Sequence, residues 1–293
     1  KGYEQAAFDL KPLIDEGYSV MIFPEGTRSI DGNIHRFHKG AFYLQEKLGL
    51  DILPVLIHGA GDCVTKGDFH FKQGRLTVKI LPRISADNTT PGLSYKDRCK
   101  WTNQYMRNEY ALLKQECETE SYFKSRLIAN YIYKGPVLEW YTRVKIGMES
   151  YYQMFNQMLP KTGTITDVGC GYGYLAYMLK YTSPERSIFA MDYDEDKISV
   201  AQNNYSNRKL GISFEAADIN EYTVNPSDGI VALDILHYLT PEQQVNTINK
   251  LMNALNPKGI LIIRDANVDY KKKHLFTRYT EFFSTKSGFN KTK

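Results

Sequence analysis

The chain has 293 residues, 42% of them hydrophobic, and a formal charge of +4. That length suits about two domains of about 150 residues, with enough apolar side chains for ordinary cores. The mild charge, with no basic patch interleaved with aromatics, argues against nucleic acid as a partner.

The four cysteines, Cys63, Cys99, Cys117 and Cys170, form no CxxC pair. No metal centre or disulfide framework is therefore expected, and reduced cytoplasmic thiols are the simplest reading. No signal peptide is evident, and no apolar run reaches the about 18–20 residues that span a bilayer.

The spacing predicts a helix over 3–16, stopped at Gly17, and a short buried strand over 19–23. Directly after that strand stands Pro24-Glu25-Gly26-Thr27-Arg28-Ser29, a turn that presents a carboxylate, a hydroxyl and a guanidinium together. Arginine on a tight turn can hold a phosphate through two parallel N–H groups. The residues alone leave open a plain surface turn with an Arg–Glu ion pair. A helix opens around 37–42, strands follow at 52–55 and 76–80, and a helix over 95–118 closes the segment.

The string FPEGTRS at 23–29 resembles the glycerol-phosphate-binding motif of the glycerolipid acyltransferases, the 1-acylglycerol-3-phosphate acyltransferase type. Ile52-Leu53-Pro54-Val55 resembles that family's proline-containing motif on the acyl-chain side of the site. The resemblance implies that Glu25, Gly26, Thr27 and Arg28 bind substrate. It also implies an acyl donor, acyl-CoA or acyl carrier protein, and a phosphate-bearing acceptor. The family's catalytic His-x4-Asp pair is missing from 1–293; His58 and Asp62 are one residue too close. His35 and His38, near the turn, are read as solvent-facing or substrate-lining. In the family that pair lies upstream of FPEGTRS, so this fragment is expected to hold phosphate without transferring acyl groups, acyl transfer is expected of the parent protein, and the chain is expected to be truncated at both ends.

A helix over 121–133 ends at Lys134-Gly135-Pro136. A second helix carries Val137, Tyr141, Val144, Met148, Tyr151, Phe155 and Met158 at spacings of three and four. That stripe suits a helix packed on the next domain. A lid over a ligand site (with Tyr133, Tyr141 and Lys145) and peripheral membrane contact are the other readings.

From about residue 161 the pattern alternates regularly. Strands are predicted at 164–168, 187–191, 212–215, 229–233 and 260–264, the last after a Pro257-Lys258-Gly259 turn. Helices are predicted at 174–179, 195–204 and 241–254. Repeated βα units imply a parallel sheet with helices on both faces, and ligands beyond the carboxyl ends of its strands. Asp167, Asp192, Asp218 and Asp234 stand at or soon after four such ends.

The first strand runs into ITDVGCGYG at 165–173, whose glycines at 169, 171 and 173 let backbone bend sharply near a ligand. Asp192, about 20 residues further on, suits a ribose diol. A nicotinamide loop would carry glycine where Tyr174 stands, and Asp167 would repel phosphate. A ligand with a cationic amino end suits the loop better.

DVGCGYG resembles motif I of the class I S-adenosylmethionine-dependent methyltransferases, and MDYDED (191–196) their ribose-binding motif. EAADI (215–219), DGIVALDILHY (228–238) and LNPKGILII (255–263) resemble the next three motifs, in order. The resemblance implies S-adenosyl-L-methionine as cofactor. It places Gly169, Gly171, Gly173 and Asp167 at the methionine part, Asp192 and Tyr193 at the ribose, and Asp218 and Ile219 at the adenine. Asp234 and His237 fall where the methyl faces its acceptor. His237 is read as a base or as a histidine that merely packs over the cofactor.

The fourth strand lacks Asn/Asp-Pro-Pro-Tyr, and no Pro-Cys nucleophile is present. The expected acceptor is therefore a small molecule or lipid-like. A further helix is expected near 280–283, while the last two strands of the family sheet cannot be placed.

The expected architecture is thus α/β throughout. An acyltransferase-like segment (1–118) and connecting or lid helices (119–160) precede a Rossmann-like domain with a mostly parallel sheet (161–293). The expected location is cytoplasmic or the inner face of a membrane. Fusions of the two families resemble bacterial lipid or pigment assembly proteins.

Overall fold

A computed structural model describes residues 2–64, 74–204 and 206–265. The chain divides into two units, Lys1–Glu118 and Thr119–Lys293.

The first unit contains helix α1 (Gly2–Asp15), helix α2 (Gly40–Leu48), strand β1 (Val55–His58), the short helix α3 (Ala60–Cys63), strand β2 (Thr77–Ile80) and the long helix α4 (Tyr95–Cys117). Helix α2 ends where Gly49 turns left-handed at φ 64, and α4 begins where the Ser94 hydroxyl accepts the Asp97 N–H at 3.2 Å. β1 and β2 pair antiparallel, Val55 opposite Ile80 and Ile57 opposite Val78. Leu56, Leu81, Tyr110 and Leu113 form one small core, and Phe37, Phe42 and Cys99 another.

Two expectations change here. Residues 19–23 form no strand, and their side chains are exposed, Met21 at 75% and Phe23 at 66%. A strand needs a neighbour to take its N–H and C=O groups, and no described residues offer one. The strand expected at 52–55 begins instead at Val55. Pro54 has no N–H to donate, and its carbonyl accepts from Leu81 at 2.9 Å, just before the ladder starts.

The second unit opens with α5 (Glu120–Ala129), α6 (Pro136–Met148) and α7 (Tyr152–Met158). It continues through β3 (Gly163–Val168), α8 (Tyr174–Thr182), β4 (Arg186–Asp192), α9 (Glu195–Gln202), the short α10 (Asn207–Leu210) and β5 (Ser213–Ala216). It ends with β6 (Ser227–Leu233), a 3-10 turn over Leu236–Tyr238, α11 (Pro241–Asn253) and β7 (Leu255–Arg264).

The strands form one sheet in the order β5-β4-β3-β6-β7, and every pairing is parallel. Successive connections leave β3 in opposite directions, so a crevice opens beyond the ends of β3 and β6. One face of the sheet packs Ile165, Ile188 and Val231 against α5 to α8, and the other packs Val168, Met191 and Ile230 with Leu251 of α11. Strands covered on both faces read as the apolar runs seen here. The expected 257–259 turn is a kink inside β7, with Lys258 at φ 67 and a register shift at Ser227/Gly229.

The helix expected to carry the stripe is two helices broken around Glu149 to Tyr151. The buried face consists of Leu138, Thr142 and Ile146, then Tyr152, Phe155 and Asn156. Of the predicted stripe, Phe155 is buried and Tyr141 packs against the same core, whereas Val137, Val144, Met148, Tyr151 and Met158 are exposed, so the stripe coincides with the packed face only in part. The break changes the helical phase, because the Glu149 carboxylate accepts the Tyr151 N–H at 2.9 Å and pins the chain in a turn. No helix among the described residues is long and apolar enough to cross a membrane. The expected helix near 280–283 lies outside the described residues.

Candidate functional site

The loop between β3 and α8 is held to the end of β4. The N–H groups of Gly169 and Cys170 donate to the Met191 carbonyl at 2.8 and 2.9 Å. Gly169 has φ 73, and a Cβ there would lie 2.2 Å from Ile235 Cγ2, so only glycine fits. Gly171 has φ 54 and opens onto empty space, where backbone can meet a ligand; its N–H donates to Asp192 Oδ2 at 2.7 Å. Gly173 lies under Phe214, with 2.7 Å between its notional Cβ and the ring.

Two carboxylates lie beneath this loop. Asp192, at the end of β4, also accepts the Asp194 N–H at 3.0 Å on its other oxygen. Asp167 is only 2% exposed, and its Oδ2 has no hydrogen-bond partner among the described residues. Burial first, then the neighbouring Asp192, pushes the Asp167 carboxyl up to about 7, and the Ala176 N–H partly offsets this. A buried carboxylate oxygen without a donor is costly. A bound ammonium would supply both charge and donors, so the residues fit the amino-acid end of S-adenosylmethionine. Gly171 leaves the backbone approach open.

The other cofactor candidates gather at the same strand ends. The Ala217 N–H donates to the Asp192 carbonyl at 2.9 Å, which brings Asp218 and Ile219 beside β4. Asp218 Oδ1 accepts from the Asn220 N–H and amide, both at 2.9 Å, and Ile219 packs into the core below. Tyr193 is exposed.

Asp234, at φ 55 just beyond β6, forms a two-pronged pair with Arg264 through Nη2–Oδ2 and Nε–Oδ1. Arg264 reaches on to Glu149 at 3.1 Å and lies over the rings of Tyr151 and Phe155. The Asp234 carboxylate is therefore engaged in anchoring the α6–α7 junction. Of the three lid candidates, Tyr133 is 96% exposed and Lys145 is exposed, whereas Tyr141 stands against the Tyr172 ring of the loop at 6.2 Å.

His237 sits in the 3-10 turn after β6, with its side chain 29% exposed. Its Nδ1 lies 2.7 Å from Oδ1 of Asp265, directly after β7. Oδ2 of Asp265 accepts the N–H groups of Leu236 at 2.7 Å and His237 at 3.2 Å. Sequence reasoning missed Asp265. The available signal was a fifth carboxylate at a strand end.

In the first unit, the Gly26 N–H closes the turn on the Phe23 carbonyl at 3.0 Å, with Gly26 at φ 69. Thr27 is exposed on the same turn. Glu25 accepts the His35 N–H at 2.8 Å instead of pairing with Arg28. Arg28 is exposed and makes no ion pair among the described residues. The His38 ring packs over Gly26. Asp31 collects the Asn33 N–H, the Ser29 hydroxyl, the Asn33 amide and His35 Nε2, the last at 2.9 Å. These bonds, led by the Asn33 N–H, hold its carboxyl far below the usual range.

Residues 160–287 match the family model described as a methyltransferase domain, and residues 2–58 match the model described as acyltransferase. The first unit is similar to 1-acyl-sn-glycerol-3-phosphate acyltransferase of Limnanthes douglasii, 36% identical over 81 residues (28% of this chain and 29% of that protein). It is 32% identical over 79 residues to the human alpha enzyme of the same name, covering 27% of this chain and 28% of that protein. The chain thus spans less than a third of the length of these curated relatives.

Among solved structures, PKMT2 from Rickettsia typhi in complex with AdoHcy aligns at 24% identity and TM-score 0.33, over 36% of this chain and 22% of that one. TehB from Haemophilus influenzae aligns at 19% identity and TM-score 0.38, over 49% and 44%. On one chain, residues 2–58 therefore carry an acyltransferase segment and residues 160–287 a methyltransferase domain.

Proposed function

We propose that the second unit transfers the methyl group of S-adenosyl-L-methionine to a small-molecule or lipid-like acceptor. The observation that carries this reading is the buried Asp167 oxygen with no donor among the described residues, under a glycine loop tied to Asp192. Asp167 and the backbone around Gly169, Gly171 and Gly173 would hold the methionine part. Asp192 with Tyr193 would take the ribose, and Asp218 with Ile219 the adenine edge. Bound there, the cofactor supplies an electrophilic methyl on a sulfonium. The chain's own contribution is alignment of the acceptor, with His237 receiving the acceptor's proton.

For the first unit, the reading is a headgroup site in which Arg28 and the Glu25–Thr27 backbone hold a phosphate. Its partners in phospholipid metabolism would be an acyl donor (acyl-CoA or acyl carrier protein) and a phosphate-bearing acceptor. A second reading is a binding module without acyl transfer, and a His-x4-Asp pair encoded upstream of FPEGTRS would exclude it. Both place the protein in the cytoplasm, working at the inner face of a membrane.

The test is transfer of labelled methyl from S-adenosylmethionine into a cell extract separated into lipid and aqueous small-molecule fractions. Label in either fraction, lost in Asp192→Ala, supports the reading. Label in neither fraction refutes the acceptor class.

A further inference from the structure

We propose that the groove between helix α4 and residues 33–35 of the first unit is a binding site for a phosphate monoester. It lies outside the motif at 23–29, and Arg28 is not among the residues that line it.

Arg107, Tyr110 and Lys114 are spaced three and four apart on α4, so they share one face of that helix. Asn33, Ile34 and His35 line the groove with them, and it encloses about 510 Å³, the size of a small-molecule site. The wall opposite α4 is pinned before any ligand arrives. The Asn103 side-chain amide donates to the His35 carbonyl at 2.7 Å, Lys114 donates to Asn33 Oδ1 at 3.2 Å, and Glu25 accepts the His35 N–H at 2.8 Å.

The unused groups of this groove are donors. Tyr110 is only 9% exposed, and its hydroxyl makes no hydrogen bond among the described residues. Its oxygen is not sealed in the core either, so it keeps access to the groove that Tyr110 lines. A hydroxyl held so far from water without a partner is costly. Burial first, then Glu118, Asp62, Glu25 and Cys117, push the Tyr110 hydroxyl up to about 12, so it keeps its hydrogen. Lys114 spends one of its three N–H groups on Asn33 and stands 3.7 Å from Glu118. Arg107 is exposed and makes no ion pair among the described residues.

Of the acids around the groove, Asp31 gathers Ser29, Asn33 and His35, Glu25 accepts the His35 N–H, and Glu118 lies 3.6 Å from His58. A hydroxyl, an ammonium and a guanidinium therefore remain for a ligand rich in acceptor oxygens and negative charge. A phosphate monoester brings three such oxygens, and a guanidinium can meet two of them through parallel N–H groups. The rest of the volume takes the organic part, against Ile34 and the Tyr110 ring. A soluble phosphate monoester and the headgroup of phosphatidic acid share this chemistry.

The test is titration calorimetry of the full chain with glycerol 3-phosphate, beside retention on phosphatidic-acid vesicles. Tyr110→Phe removes the hydroxyl alone, and Arg107→Gln changes an exposed side chain; each is expected to weaken phosphate binding about tenfold. Thermal unfolding of both variants checks that the unit is intact. Loss with the soluble probe alone assigns a free phosphate monoester, and loss of vesicle retention assigns the lipid headgroup. Unchanged binding of both probes in both variants overturns the inference, and a simultaneous loss in Arg28→Gln would leave the headgroup reading of the 23–29 turn standing. Glycerate bound as tightly as glycerol 3-phosphate would overturn the assignment to phosphate, as would a folded wild type that binds neither phosphate probe.

Discussion

Asp167 links cofactor binding to pH, and the size of the effect follows from its surroundings. In the free protein its carboxyl is pushed up to about 7 from 3.8 by burial and by Asp192. An aspartate raised in this way favours the protonated native state. Its cost to stability is absent below the unfolded pKa, grows as pH rises from about 4 to about 7, and is then constant. Three units correspond to about 4 kcal/mol. Ammonium binding reverses the preference, because the carboxylate gains a charged partner.

Binding of S-adenosylhomocysteine should therefore release about 0.9 proton at pH 6 and about 0.1 at pH 8. Affinity should fall close to tenfold for each pH unit below 7 and level off above it. Calorimetry in two buffers of different ionisation enthalpy reads the released proton directly. Asp167→Asn should abolish the release and, at pH 8, stabilise the free protein by up to about 4 kcal/mol. Binding at pH 6 with no proton released would refute the reasoning.

The guanidinium of Arg186 is fully buried and donates to the carbonyls of Asn156, Leu159, Pro160 and Leu179 and to the Asn156 side chain. Arg186→Met strands these acceptors and should cost about 3 kcal/mol in urea unfolding; a loss below about 1 kcal/mol would contradict this account. Gly169→Ala drives a Cβ to within 2.2 Å of Ile235 and should abolish S-adenosylhomocysteine binding, and Gly171→Ala, which meets no protein atom but strains a backbone at φ 54 and fills the space left for the ligand, should weaken it too. Arg28→Gln should reduce retention on phosphatidic-acid vesicles while changing stability by less than about 0.5 kcal/mol; retention equal to the wild type would remove Arg28 from the headgroup site.

The βα core was legible because parallel strands covered on both faces have no polar alternation to confuse them. The glycine loop was legible because Gly169 and Gly173 are places where side chains would collide. Residues 19–23 looked equally strand-like, yet a strand exists only with a partner, and periodicity does not report one. The stripe over 137–158 misled for a related reason. Three-four spacing marks an apolar face without saying what it meets, and the turn at Glu149 puts α6 and α7 out of phase. Asp265 and Arg264 acquire their roles through contacts 28 and 30 residues away in sequence, created by the β6–β7 pairing. Their place at the end of β7 is visible in the sequence, but the partners they meet there are not.

The central claim is that the crevice above β3 and β4 holds S-adenosylmethionine through Asp167 and Asp192. Titration calorimetry of the full chain with S-adenosylhomocysteine tests it most directly. Saturable one-to-one binding that is severely weakened by Asp192→Ala is the predicted result. A folded wild-type protein that gives no binding heat and no thermal stabilisation with the ligand would contradict the claim.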